Sequence, residues 1–529
     1  MTSRTLALGG TTYPLVLPSL RDPRLHVASV IITVHVLGQV GLHFRVSVPQ
    51  ILAAILTSAI IEVVLTFRQS RSFVWPASAM LTGSGVALIL RVVGTPPDDP
   101  WNTSGWYVFA GVAAFSLLTK YVIRYRGSHV FNPSNIGLVV TFVVLGSSRV
   151  EPLDFWWAPL DVWMVAAYAV ILVGGLLITR RLRLLALGAT FWVTLTVSTG
   201  ILAASGHCMT ANWAFAPVCG ADFWRVIVIS PEVMIFLFFM ITDPRTVPAG
   251  RVGRVAFGFL VAVASTLLMA PQTNEFGTKV GLLTGLVVLC AARPILERAF
   301  PEPRSAADDI GRFAARLALG RDRSAGAARA FLRVGLAVAA ILALGVGIVA
   351  AGTPARGVVA PDTSEMLTGV PPNTNPATLP AITVSPDVVN FDQQIADETP
   401  QILVTLAQNL ALESQALLQK DGSILTTVDH GDRLKEMQAQ LAAAQSSGTT
   451  VISTYHFDTV HVTLIVPFGV QSGLSLGYDS RGTVTEATYD ATGKLLDQRT
   501  SPFALTFAVR QATGARWLTV AVLPPGTGT

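Results

Sequence analysis

The chemistry-bearing residues of this 529-residue chain are polar groups set in apolar surroundings. One stretch, Ser128-His129-Val130-Phe131-Asn132-Pro133-Ser134-Asn135-Ile136-Gly137-Leu138, is polar at its start and runs straight into an apolar segment. Asn132 suits a helix N-cap and Pro133 its first turn, with Asn135 in reach of the free amides. A second stretch, Thr82-Gly83-Ser84-Gly85, offers hydroxyls and a backbone that neighbours or a ligand can approach closely. A third, Thr242-Asp243-Pro244-Arg245-Thr246-Val247-Pro248, stops a helix on a carboxylate. Glu62 and Glu232 sit inside apolar runs, where a carboxylate faces a partner or a water-filled cavity. They suit a proton or cation path, Glu232 the more so because Pro231 frees a backbone carbonyl. Each feature also has a plain structural reading: a capped helix end, small-residue packing, a helix stop, an interhelical hydrogen bond. His35 and His43 share one helix, as haem ligands can, but packing explains them better. Zinc spacing, a P-loop, a dinucleotide fingerprint and a nucleophile triad do not occur.

The elements that must hold these groups are membrane helices. Half of the chain (51%) is hydrophobic, 13% is charged, and mean hydropathy is +0.55. A soluble chain carries nearer a quarter charged residues. Runs of roughly twenty apolar residues place eleven helices near 27–44, 48–67, 73–91, 104–123, 131–147, 157–179, 184–204, 224–242, 253–271, 276–292 and 331–351. Lys and Arg alternate between rich and poor loops, which sets the N-terminus (1–26) inside. The basic segment 296–330 is then cytoplasmic, as an amphipathic surface helix or a solvated linker. The positive charge is spread over these loops, so nucleic acid is not a partner; the lipid bilayer is.

The eleventh helix carries the chain outside again. Residues 352–390, rich in Pro and Thr, read as an extended linker, and 391–529 as an extracytoplasmic domain. Helical patterns at 398–420 and 431–445 precede short alternating runs at 450–455, 460–466, 474–478, 483–489, 503–509 and 517–522. Turns are expected at Asp479-Ser-Arg-Gly482, Ala491-Thr-Gly493 and Thr513-Gly514. This is an α+β order, similar to an NTF2-like cone. Cys208 and Cys219 share one outer loop and are expected to form a disulfide there; Cys290 reads as a small core residue.

Taken together, the three polar stretches resemble the RnfD/NqrB-like family of membrane proteins, which serve in the Rnf electron-transport complex and in the sodium-pumping NADH:quinone oxidoreductase. Leu81–Leu90 followed by Thr95-Pro-Pro97 matches the family's Thr-Gly-rich third helix. His129–Pro133 with Gly137 matches its His-x-Phe-Asn-Pro helix start, and Phe239–Pro248 its Phe-x-x-Thr-Asp-Pro-x-Thr-x-Pro segment. The resemblance covers about residues 25–295 and implies ten helices as two inverted five-helix repeats, echoed by Phe131…Gly137-Leu138 and Phe276…Gly281-Leu282.

The resemblance also implies FMN or riboflavin. Here it would be held non-covalently by Thr82, Gly83, Ser84, Gly85, Asn132, Asn135, Thr242 and Asp243. Family members with covalent FMN carry it on a Ser-Gly-Ala-Thr motif, which this chain lacks. Its extra length and missing motif look closer to a divergent branch encoded beside enediyne-type pathways. The implied role is a redox component of a larger system, not a stand-alone enzyme, in the cell membrane. Other membrane or extracytoplasmic electron-transfer subunits, and a quinone or small-molecule substrate, are the implied partners. The alternative is a transporter, export component or scaffold that kept the fold and lost redox chemistry.

Overall fold

A computed structural model describes residues 2–8, 11–96, 99–153, 161–319, 327–356, 379–465, 473–512 and 516–527. Expected features at Pro97, at 157–160, in the linker at 357–378, in part of the basic segment and at Thr513-Gly514 lie outside these residues. The chain divides into two compact units: Met1–His207 with Cys219–Gln272 and Phe276–Ala355, and Cys208–Val218 with Thr273–Glu275 and Arg356–Thr529.

The first unit is helical. Its helices are α1 (Pro23–Val40), α2 (Val48–Ser70), α3 (Ala77–Ile89), α4 (Trp106–Val122), α5 (Pro133–Leu145), α6 (Val162–Arg181) and α7 (Leu185–Ala204). They continue with α8 (Gly220–Ile229), α9 (Pro231–Ile235), α10 (Arg251–Met269), α11 (Glu275–Ala299), α12 (Ile310–Leu319), α13 (Ala327–Ala351) and α14 (Thr353–Arg356). Each of the eleven expected segments holds a helix. Among the described residues six stretches are long and apolar enough to cross a membrane, α8 and α9 counting with their continuation as one, and apolar side chains such as Ile60 and Val173 face outward from them. Local chemistry sets the ends. Ser47 and Gln50 cap α2 reciprocally, and Asp22 caps α1. Within the expected N-terminal segment, strand Thr2–Leu8 pairs antiparallel with Thr11–Leu17.

Helices α3 and α5 have 13 residues each. At 1.5 Å per residue each is about 20 Å long, short of a bilayer's hydrocarbon core. Helix α3 runs into strand Leu90–Val92, and α5 is followed after a turn at 146–149 by strand Val150–Pro152; the two strands pair antiparallel and so satisfy backbone groups near the helix ends. Arg91 lies opposite Glu151 in that register, and the two form a buried ion pair at 3.0 Å, 9% and 5% exposed.

Glycine sets several helix contacts at backbone distance. A Cβ on Gly83 would lie 2.4 Å from the Ala54 carbonyl oxygen of α2. One on Gly137 would strike Ser116 Oγ of α4, and one on Gly285 would lie 2.2 Å from Ser265 Oγ of α10.

The second unit is α+β. The sheet runs, in order, Ala381–Val384, Thr450–Ile465, Ser475–Tyr489, Leu495–Gln511 and Trp517–Leu523; the first pair is parallel, the rest antiparallel. Its helices are α15 (Pro386–Phe391), α16 (Gln393–Gln419), α17 (Gly422–Val428) and α18 (Gly431–Ser447). Leu403, Leu406 and Leu410 of α16 pack on Val462, Leu476, Tyr478 and Phe507 of the sheet. The loop 208–218 contributes to this core: Phe215 packs edge-on against Phe391 and tilted against Trp517, and Arg510 Nε donates to its carbonyl at 3.0 Å.

Two expectations fail here for one physical reason. The run at 450–455 and the described part of that at 460–466 are one strand, Thr450–Ile465, with a bulge at Asp458. The runs at 474–478 and 483–489 are also one strand, and Asp479–Gly482 is not a turn. Gly482 marks close backbone approach instead: a Cβ there would lie 1.9 Å from the His456 carbonyl oxygen. Gly482→Ala is therefore expected to destabilise this unit by about 1–3 kcal/mol, read as a lower midpoint in denaturant unfolding. The expected linker also ends early, because Ala381–Val384 is a strand and Pro386–Phe391 a helix.

Candidate functional site

The three polar stretches meet at the first turn of α5. Asn132 is the cap: its Oδ1 accepts from Asn135 N (3.2 Å) and Ser134 Oγ (3.0 Å), and Pro133 fills the first turn without leaving an amide unpaired. Asn132 Nδ2 donates to the Met240 carbonyl (3.3 Å), and His129 Nε2 lies 3.1 Å from Asp243 Oδ2. Both contacts tie this turn to the Phe239–Pro248 stretch. On the other side, a Cβ on Gly85 would lie 3.1 Å from Ser134 Oγ, which brings α3 against the same turn. Asn135 Nδ2 crosses to the Leu283 carbonyl of α11 at 3.0 Å.

The Thr242 stretch owes its place to an interrupted helix. Ser230 leaves helical geometry and its Oγ caps Val233 N at 3.1 Å, with Pro231 in the first turn of α9. Helix α9 then widens into a π-helical turn, Phe236–Ile241, a form that recurs at functional sites. The carbonyls left free before Pro231 are taken: Trp192 Nε1 donates to Val228 (3.1 Å) and Tyr168 Oη to Ile229. A tryptophan indole and a tyrosine hydroxyl thus each take one carbonyl of the interrupted turn.

The expected cofactor residues divide by what their polar atoms do. Thr82 Oγ1 donates to Ser78 O, Thr242 Oγ1 to Phe238 O, and Asp243 Oδ1 accepts from Arg245 N (3.0 Å). Gly83 faces α2 and serves packing. Ser84 Oγ and Asn135 Oδ1 are different: both are buried, 6% and 1% exposed as residues, and neither has a hydrogen-bond partner among the described residues. Such groups cost about 1–3 kcal/mol when left unmade. Ser116 Oγ, against Gly137, is a third; as a serine inside an apolar helix it gave no pattern for sequence reasoning to find.

Glu62 and Glu232 are each ion-paired. Lys120 Nζ lies 3.3 Å from Glu62 Oε2 and 3.0 Å from Ser78 Oγ, and Lys279 Nζ lies 3.2 Å from Glu232 Oε1. Charge counting assigns both lysines to loops, so their pairing was not legible. His35 is buried with Nε2 3.4 Å from Ser84 O, while His43 lies beyond the end of α1 in left-handed backbone, so the two do not share a helix face. Cys208 and Cys219 are disulfide-bonded, and Cys290 is a buried free thiol. Among the described residues no cluster of His, Cys, Asp and Glu is arranged to hold a metal.

Compared with protein-family models and with curated proteins, the chain has no match.

Proposed function

We propose that the chain is an integral membrane component of an RnfD/NqrB-like electron-transfer system. The observation that carries this is the convergence of three stretches far apart in sequence on the first turn of α5. FMN or riboflavin, when bound, supplies one- and two-electron redox chemistry. Ser84 Oγ and Asn135 Oδ1, two of the buried polar atoms without a partner among the described residues, would meet it, while Thr82, Asn132, Thr242 and Asp243 hydrogen-bond within the protein. Electrons pass through this chain from partner subunits to a quinone or small-molecule acceptor.

Two inverted five-helix repeats fit the packing. Gly137 on Ser116 joins α5 to α4 as Gly285 on Ser265 joins α11 to α10, about 150 residues later in the chain. The C-terminal domain lies outside the cell membrane in this reading, with the N-terminus inside. Residues 208–218 and 273–275, both assigned to outer loops by the charge count, belong to the same compact unit as residues 356–529.

Purification of the whole chain in mild detergent and its visible spectrum test the cofactor. The expected result is oxidised flavin absorbance that bleaches with dithionite, or that is regained on adding FMN or riboflavin. A spectrum without flavin that stays empty after both additions overturns the reading. Ser84→Ala is expected to raise the thermal stability of the flavin-free protein, since it removes a buried hydroxyl that has no partner among the described residues, and to lower flavin retention.

A second reading, transport or export without redox chemistry, is favoured by the two ion pairs within the helical unit, Glu62–Lys120 and Glu232–Lys279. Paired ionisable residues within membrane helices mark transport paths in many membrane proteins. Glu232→Gln separates the readings: it abolishes proton-coupled transport and leaves bound flavin in place.

A further inference from the structure

The second unit contains a cavity of about 470 Å³ between α16 and the first half of strand Thr450–Ile465. That volume lies within the range that holds small organic ligands. One wall is the α16 face carrying Leu403, Leu410, Ser414 and Gln415; the other carries Tyr455 and Phe457. The two rings are stacked, with centroids 6.4 Å apart and planes 22° apart. Phe503 and Phe507 back them edge-on at 5.2 to 5.9 Å, which fixes the wall.

The lining holds no Asp, Glu, Lys or Arg among the described residues. A charged ligand entering it would lose hydration with no compensating partner. The polar groups are neutral: the Gln415 and Gln419 amides, the Ser414 and Thr454 hydroxyls, and the strand edge itself. Among the described residues that edge is open, because Ala381–Val384 pairs with Thr459–Val462 and stops short of residues 452–457. Ser414 Oγ takes one edge group, donating to Ser453 O at 3.0 Å. His456 at the rim is exposed and lies 3.7 Å from Asp458.

We propose that this cavity binds an uncharged, flat or elongated apolar molecule carrying carbonyl or hydroxyl groups. Its body stacks against Tyr455 and Phe457, and its polar ends meet the Gln415 amide and the open strand edge. The proposal is independent of the flavin reading, which concerns the other unit.

Photolabelling of the full-length protein with a neutral naphthoquinone bearing a diazirine tests it, with peptide mapping of the adducts. Adducts are expected in 403–419 and 452–457. Unmodified naphthoquinone should compete, and a sulfonated analogue should not. Ala411→Trp, which fills the cavity, is expected to reduce this labelling about tenfold, equivalent to 1.4 kcal/mol. Gln415→Trp at a half-buried position does the same and guards against misfolding of the first variant; circular dichroism of both monitors the fold. Adducts confined to the apolar helices of the first unit, labelling unchanged in both variants, or equal competition by the sulfonate would each overturn the proposal.

Discussion

Arg433→Met is expected to cost the second unit about 3–5 kcal/mol, a large share of the stability of an ordinary domain. Arg433 holds Glu413 with two hydrogen bonds, Nε to Oε1 at 3.0 Å and Nη2 to Oε2, and reaches Glu436 at 2.9 Å. Glu413 and Asp429 are both buried beside it. Burial and the neighbouring Glu413 carboxylate push Asp429 well above the usual carboxylate range. Burial opposes the charge on Arg433, and Glu413 outweighs it, so the guanidinium is held charged. Removing it leaves two carboxyl groups facing each other with no cation. Thermal unfolding of the whole protein, followed by the sheet signal in circular dichroism, checks this. An unchanged midpoint would mean the cluster contributes nothing.

The same cluster has a pH signature. A carboxyl group whose pKa rises on folding contributes stability that is complete below its unfolded value, near 3.8, and lost as pH rises through the folded one. Asp429→Asn should therefore stabilise the second unit at neutral pH and flatten its stability profile above pH 3.8. The two substitutions act in opposite directions on neighbouring residues, which distinguishes this account from general sensitivity of the site.

Glu62→Met is the second large effect. It leaves Lys120 at a helix end with Ser78 Oγ as its remaining side-chain acceptor among the described residues, and is expected to cost roughly 3 kcal/mol. Glu62→Met combined with Lys120→Met should recover most of the loss, because replacing both partners of a buried pair by apolar groups of similar size is close to neutral. Midpoints of unfolding in detergent for the single and double variants measure the coupling. If the double variant is as unstable as the single one, the ion pair is not what the glutamate provides.

Helix placement was largely legible because a twenty-residue apolar run has few other uses. The short helices α3 and α5 were not, since a strand of two or three residues carries no periodicity. Only the Leu90–Val92 and Val150–Pro152 pairing reveals why both can stop early. The N-terminal hairpin had a signal, Gly9-Gly10 between two Thr- and Leu-containing runs, a two-residue turn pattern that a search for apolar runs passes over. Gly482 misled because a glycine between alternating runs marks a turn or a close approach, and only the neighbouring His456 carbonyl decides which. At the site, His129, Asn132, Asn135 and Asp243 were each legible as unusual. Their mutual distances, and the lysine partners of Glu62 and Glu232, depend on long-range packing that no local spacing encodes.

The central claim is that the seam between α3 and α5 is a cofactor site. Redox titration of the purified chain, loaded with FMN or riboflavin, tests it most directly when the wild type is compared with Ser84→Ala and Ser265→Ala. Ser84 Oγ has no hydrogen-bond partner among the described residues, whereas Ser265 Oγ donates to Leu282 O at 2.8 Å in the second half of the helical unit. The account predicts a flavin midpoint potential that shifts in Ser84→Ala and stays at the wild-type value in Ser265→Ala. Identical potentials in all three proteins, or a shift only in Ser265→Ala, would contradict it.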